Sequence, residues 1–414
     1  MKYHINIIIL LVVFGLLLSG CSLVNSLRMM HANDDIEPNW PSPKNDQVLP
    51  AIYIGEKPYV RLLVNDSTEL LFLIDTGASF SMVFDTPKGK SLLTKKGFEL
   101  KIAGWGEGQD TQAYQSELAS LHIGEVEFEN VKVAYIPISL SPYYLREDEA
   151  IFDGVLGHDI LRHFAWTLDK QKALITASAE PQTVHKGDDA MPISVSFSKL
   201  SIDATVEFNQ STKLQREVLI DTGSRHYFKM SAAFPIENDI ALPTKKIMAA
   251  DFGMSGMTEH QRVTIPAIHF QSLQINGVKT NLIPSDDEDD WWVIGSALMN
   301  QFITVIDYHN HQFIMRAYPQ HVFASRYNLA GVELRKLQNG NFVVRYVTAG
   351  LPAEVSGLQA GDEIISINQI PAIQISEQQW IELNATPGSR QMCVRNRDCI
   401  SYVSQHILGY SSHM

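Results

Sequence analysis

Apolar and polar positions alternate in short runs along most of the chain. "YVRLLVN" (59–65), "ELLFLID" (69–75), "SLHIGEVEF" (120–128), "VKVAYIPI" (131–138), "ISVSFSKLSIDATVEF" (193–208) and "TVIDYHNHQFIM" (304–315) all show it, and turn residues separate them. Side chains that alternate between two faces suit half-buried strands, so the chain from about Leu49 to Arg316 is predicted to be mainly β. Near Arg326 the character changes. "LAGVELRKLQNGNFVVRYVTAGLPAEVSGLQAGDEIISINQIPAI" has a turn-rich start, a small-residue helix and then a strand. In the following "ISEQQWIELNATPGS", Ser376 and Gln379 have the spacing of a capping box, which predicts a helix from Glu377 to Asn384. This tail reads as a separate α+β module. The stretch 21–48 is polar and rich in breakers, as in "NDDIEPNWPSPKNDQ", and is expected to be a flexible tether.

The β region repeats itself. "LIDTG" ends at Gly77 and again at Gly223. After each copy come a Gly-containing stretch ("IAGWGEG", "MAADFGMSG"), a strand pattern ("LHIGEVEF", "IHFQSLQING") and a closing segment ("GVLGHDILRHFAWTLD", "WVIGSALMNQFITVID"). The spacing Gly157 to Phe164 equals Gly295 to Phe302, and Phe164 to Asp169 equals Phe302 to Asp307. Shared order and spacing indicate two copies of one fold unit. The expected division is lobe 1 over 49–180, lobe 2 over 181–318 and the C-terminal module over 326–410.

Length and charge narrow the picture. With 414 residues the chain has room for two or three domains. A net charge of -13 and the lack of any Lys/Arg-rich stripe argue against a nucleic-acid partner. The first residues, "MKYHINIIILLVVFGLLLSGC", combine Lys2 with an apolar run shorter than a usual membrane span and small residues before Cys21. Residues 1–20 are therefore expected to be a signal peptide. Cys393 and Cys399 flank the turn-like Asn396-Arg397-Asp398. In an exported protein an even leftover pair suggests a disulfide, with two free thiols in a strand pair as the alternative. No zinc motif and no other metal site is read from the sequence, and no cofactor is expected.

The repeated Asp-Thr-Gly carries the chemistry. Gly77 and Gly223 permit a tight turn and close backbone approach, and the hydroxyls of Thr76 and Thr222 can bond across to the other copy. Two such turns meeting at a pseudo-twofold axis bring Asp75 and Asp221 together. Two close carboxyls share one proton, so one can activate water while the other polarises a carbonyl. His158-Asp159 falls in the turn after an apolar strand and reads as structural. The acidic run Ser285 to Trp292 reads as a solvated loop. Arg225, two residues beyond the second Gly, is read as solvated or paired, with a shift of the Asp pair's pKa or selection of acidic side chains as the alternatives.

Both D-T-G motifs, each followed by an apolar-apolar-Gly (Val155-Leu156-Gly157, Val293-Ile294-Gly295), resemble the aspartic peptidases of the pepsin/retropepsin clan. "DTGAS" and "GVLGHDIL" are similar to the retroviral type, but both copies lie in one chain, as in pepsin. The resemblance implies a bilobal endopeptidase acting on protein or peptide substrates. It also implies a flap at "IAGWGEGQ" with Trp105 as its aromatic residue. The C-terminal module resembles a PDZ domain, which implies a peptide ligand with Ala330-Gly331-Val332 as the carboxylate-binding loop. L-S-G-C looks like the lipobox of bacterial lipoproteins. That implies a membrane anchor through lipidated Cys21 in the bacterial cell envelope. Ser22 favours the outer membrane, facing the periplasm. The competing reading is a non-catalytic peptide- or protein-binding lipoprotein that keeps the protease fold.

Overall fold

The alternating runs form strands, and their pairing repeats as the motifs do. The structure, a computed structural model, describes residues 24–92, 96–285 and 291–405. The first copy contains β1 (Gln47–Ile54), β2 (Lys57–Val64), β3 (Thr68–Ile74), β4 (Met82–Phe84), β5 (Glu99–Ile102), β6 (Thr111–Ile123), β7 (Val126–Ile136), β8 (Gly154–Leu156), β9 (Ala165–Asp169) and β10 (Leu174–Ser178). The second contains β11 (Asp189–Pro192), β12 (Ser194–Ser196), β13 (Lys199–Glu207), β14 (Lys213–Asp221), β15 (Phe228–Ser231), β16 (Ile247–Gly253), β17 (Gly256–His269), β18 (Gln274–Ile283), β19 (Val293–Gly295), β20 (Phe302–Asp307) and β21 (Gln312–Ala317).

In the first copy, the strand order β2-β3-β8-β4-β7-β6 closes on itself, because β6 also pairs with β2. In the second, β13-β14-β19-β15-β18-β17 closes in the same way through β13 and β17. The strands that lead into Asp-Thr-Gly lie parallel to the downstream apolar-apolar-Gly strands. Ile74 faces Leu156, and Asp221 faces Gly295. The continuous run Leu70–Ile74 is buried throughout, as expected for a strand covered on both faces. A six-stranded sheet, β11-β21-β20-β9-β10-β1, joins the lobes, with β20 and β9 paired at its centre. One large core runs through both copies. Phe72, Phe164, Trp166, Phe228, Trp292 and Phe313 are all at most 1% exposed. Each such side chain contributes roughly 1.5–3 kcal/mol of burial.

The C-terminal module has its own sheet of β22 (Val332–Lys336), β23 (Phe342–Val347), β24 (Glu363–Ile367), β25 (Ile370–Pro371), β26 (Gly388–Val394) and β27 (Cys399–Ser404), and its own core. The helix Glu377–Asn384 starts where the sequence predicts. Gln379 N donates to Ser376 Oγ at 3.1 Å, and Ser376 N donates to Gln379 Oε1 at 2.8 Å. Cys393 and Cys399 form a disulfide across the β26–β27 hairpin.

The expected tether is corrected over 24–48. Residues 24–30 are helical, Met29 is fully buried in a lobe 1 cluster, and Asn33 Nδ2 donates to Asp159 Oδ2 at 2.7 Å. Trp40 packs 5.4 Å from Phe164. A few apolar residues in a polar stretch thus dock it onto lobe 1. Asp159 also accepts from Ser81 Oγ at 2.8 Å, so its role is to hold this segment. The expected signal peptide 1–20, Cys21 and Asp286–Asp290 of the acidic run lie outside the described residues.

Candidate active site

β3 and β14 deliver Asp75 and Asp221 to facing turns between the lobes. The turns are tied crosswise. Thr76 N donates to Thr222 Oγ1 at 3.0 Å, and Thr222 N donates to Thr76 Oγ1 at 3.1 Å. Each hydroxyl then donates onward across the lobe boundary, Thr76 Oγ1 to the Ile220 carbonyl and Thr222 Oγ1 to the Ile74 carbonyl, both at 2.7 Å. Both threonines are buried, at 2% and 1% exposure. The glycines are required by space. A Cβ on Gly77 would stand 2.6 Å from Asp221 Oδ1, and one on Gly223 would stand 2.3 Å from the Asp75 carboxyl carbon. Each carboxyl therefore lies over the other copy's glycine.

Gly77 N donates to Asp75 Oδ1 at 2.8 Å. Burial pushes the Asp75 carboxyl up to about 7, and the charge of Asp221 adds to this against Lys57 and Lys199. Asp221 Oδ1 has no hydrogen-bond partner among the described residues. Two carboxyls this close can share a proton, and the raised Asp75 is the one placed to hold it.

The β5–β6 hairpin reaches over this pair, with Trp105 in its tip and lining the cleft. The β16–β17 hairpin of lobe 2 meets it. Ser255 N donates to the Trp105 carbonyl at 3.0 Å, and Gly104 N donates to Ser255 Oγ at 3.1 Å. The second Gly-rich stretch is thus a second hairpin, meeting the first tip to tip. The Trp105 ring lies edge-on to His226, with centroids 5.3 Å apart.

Arg225 is paired. Its Nε donates to Asp251 Oδ1 at 2.6 Å and its Nη2 to Glu333 Oε2 at 2.8 Å. Arg262 donates to Asp251 Oδ2 at 2.8 Å. Burial opposes the Asp251 charge, but Arg225, His226 and Arg262 overcome it and hold the carboxyl well below the usual range. Arg225 therefore links the second Asp turn to the lobe 2 hairpin and to the C-terminal module.

That module forms part of the cleft wall. Glu333, Leu334, Arg335, Arg345 and Glu377 line the same cavity of about 640 Å³ as Asp75, Asp221 and Trp105. Lys57 and Lys199 line it too. Sequence reading missed these residues. Glu333 and Leu334 follow the Ala330–Val332 loop and Glu377 opens the predicted helix, while Lys57, Lys199, Arg335 and Arg345 lie in ordinary strand and turn contexts. The loop Ala330–Val332 lies apart from the cleft, and its amides are not free as expected. Gly331 N and Val332 N donate to Asn328 Oδ1 at 2.8 and 3.3 Å, and Ala330 N donates to Asn384 Oδ1 at 3.3 Å. The Asn328 side chain thus accepts from two of the loop amides. The groove between β22 and the helix Glu377–Asn384 faces the two β lobes, where Glu56, Arg262 and Lys279 line a space of about 90 Å³.

Residues 60–160 match the family model described as Aspartyl protease, and residues 321–394 match that of the PDZ domain. The chain thus contains an aspartyl protease domain and, C-terminal to it, a PDZ domain, which imply protein substrates and a peptide ligand. No curated protein matches the chain.

Proposed function

We propose that this chain is an aspartic endopeptidase in which Asp75 and Asp221 together activate water. The observation that carries the reading is the crosswise tie of Thr76 and Thr222, which joins two buried Asp turns from opposite lobes. In the reaction, Asp221 takes a proton from water as its oxygen attacks the scissile carbonyl carbon. Asp75 gives its proton to the carbonyl oxygen, which forms a gem-diol. Collapse breaks the C–N bond, and the proton held by Asp221 passes to the leaving nitrogen. One diol hydroxyl returns a proton to Asp75 as the new carboxyl forms. The two hairpins close the cleft over the peptide and exclude bulk water.

In this reading the PDZ domain recruits or gates substrate. A peptide that enters its groove must displace Asn328 from the loop amides, which couples ligand capture to the cleft wall formed by the same domain. Lipid on Cys21 holds the enzyme at the envelope membrane, facing the periplasm, so a Cys21→Ser chain is expected to lose incorporation of labelled palmitate and to become soluble.

The direct test incubates full-length protein in detergent with unfolded casein from acid to neutral pH, beside Asp75→Asn and Asp221→Asn. Cleavage by the parent and at least a thousandfold loss in both variants supports the dyad. Retained cleavage in either variant refutes it, and no cleavage by the parent turns the reading to a binding lipoprotein.

A further inference from the structure

Arg335 leaves the PDZ strand β22 and enters the aromatic end of the catalytic cleft. Its guanidinium carbon stands 5.5 Å from the Tyr143 ring centre and 5.9 Å from that of Phe152. The residue is only 8% exposed, yet its Nε and Nη2 have no hydrogen-bond partner among the described residues. The phenol oxygens of Tyr59 and Tyr144, which belong to the same lobe 1 cluster, are unpartnered too. Glu377 comes within 3.9 Å of Arg335 Nη1, beyond hydrogen-bond range, and its Oε1 already accepts from Lys336 N at 2.8 Å. Buried donors without acceptors are costly, so an acceptor brought to this edge is favoured.

The two unmet nitrogens share one edge of the guanidinium. This chain uses that same edge elsewhere to grip carboxylates. Arg316 donates to Asp188 through Nε and Nη2, both at 2.9 Å, and Arg146 donates to Asp148 through Nε at 2.9 Å and Nη2 at 2.6 Å. The fork is built for two parallel bonds to one carboxylate.

The surroundings favour an anion. Lys57 stands 5.7 Å from the Tyr143 ring centre and lines the cavity that holds Asp75. Three cations meet at the Tyr143 ring, and of these Arg345 is met by Glu149 at 3.3 Å, so Arg335 and Lys57 are the ones offered to a ligand at this end of the cavity. Burial alone would push the Tyr143 phenol up. The charges of Arg335, Lys57 and Arg345 outweigh it and bring the phenol down to about 8.

We propose that Arg335 and Lys57 form a carboxylate-binding subsite of the cleft, so that the peptides it takes carry an acidic group beside the bond facing the dyad. The group is either an Asp or Glu side chain or a free C-terminal carboxylate. The substrate class rests on the endopeptidase reading; the binding preference does not. On this view the PDZ domain selects substrate through a side chain of its own inside the catalytic cleft.

The test measures binding and cutting separately. Fluorescein-labelled decapeptide pools are made with one central position fixed as Glu or as Gln, each with a free or an amidated C-terminus. Binding to full-length Asp221→Asn protein in detergent is read by anisotropy, which needs no turnover. The expected result is at least tenfold tighter binding of the Glu pool with an amidated end, if side chains are read. If chain ends are read, the gain follows the free carboxylate instead. Arg335→Gln in that background brings the ratio close to one, Arg335→Lys keeps part of it, and Lys57→Gln lowers it without touching the buried guanidinium. Equal binding of all four pools overturns the proposal. So does an Arg335→Gln protein that binds every pool more tightly, because Arg335 would then be a plug. Selective binding without cutting by the parent keeps the subsite and removes the endopeptidase reading alone.

Discussion

Thr76 and Thr222 show how much a single hydroxyl does in this molecule. Each accepts a backbone N–H from the opposite turn and donates to a carbonyl of the opposite strand. Thr222→Val keeps the shape and removes both bonds, leaving Thr76 N and the Ile74 carbonyl buried without partners. The expected cost is roughly 1–3 kcal/mol, read as a lower urea midpoint at unchanged slope. Asp75 gives a second prediction. Its carboxyl, raised to about 7, favours the folded state when protonated. That contribution is complete below the unfolded value of about 4 and is lost as pH rises through 7. Asp75→Asn removes it, so the melting temperature of the variant minus that of the parent is expected to grow from pH 4 to 7 and then level off. A difference that shrinks over that window contradicts the assignment. Proteolysis is expected to fall over the same rise, because the shared proton leaves. The two Asp turns and their cross-bonding threonines were legible, because a short motif written twice carries its own spacing. Arg225 was legible only as a position near the second turn. Its partners Asp251, inside the second Gly-containing stretch, and Glu333, next to Ala330–Val332, come from distant strands, and nothing in the sequence pairs them with it.

At the scale of elements, the hairpins carry the next prediction. Gly253, at the end of β16, lies against the Trp105 carbonyl, and a Cβ there would stand 2.0 Å from that oxygen. Gly253→Ala must therefore part the two tips, while the strand β16, paired along its length with β17, stays in place. A rise of about tenfold in KM and faster nicking by an added protease within 103–110 are expected, with little change in the unfolding midpoint. An unchanged KM would mean that tip contact does not shape the cleft. The sequence marked both stretches by their glycines, and period-two alternation located most strands. It did not say that the tips touch, since that contact joins Gly104 and Trp105 to Ser255 across about 150 residues, and no local pattern pairs them. The helix Glu377–Asn384 was predicted to the residue, because a capping box is a local signal. The segment 24–48 was misread for the opposite reason. Met29, Met30 and Trp40 are scattered apolar residues in a stretch too short and polar to show a clear period, and lobe 1 gives them something to pack against.

The whole molecule is held as one by a domain that touches both sides of its cleft. Gln338 N of the PDZ domain donates to the Asp148 carbonyl of lobe 1 at 2.8 Å, and Thr348 Oγ1 donates to the Met248 carbonyl of the lobe 2 hairpin at 3.2 Å. Arg345 lies 3.5 Å from the Phe252 ring centre on the same hairpin. None of these contacts was legible, because each is one residue in an unremarkable context and an interface depends on the docked pose. Their consequence is that PDZ movement and cleft shape are coupled, and Glu333 is where the coupling is most concentrated. Its carboxylate meets Arg225 at 2.8 Å and stands 3.7 Å from Arg262, and both arginines also meet Asp251 on β16. Glu333→Gln keeps the size and removes the charge. The two arginines are then balanced by Asp251 alone in a buried setting, where loss of one partner is costly. Local opening of both faces should become easier together. Hydrogen exchange measured by mass spectrometry is expected to rise several-fold in β22 and in β16–β17, and to stay constant in β9 and β20 at the lobe junction. A rise confined to β22 would show a PDZ domain that loosens on its own, and the link from that domain to the cleft would then have to run through Arg335 and Arg345 instead.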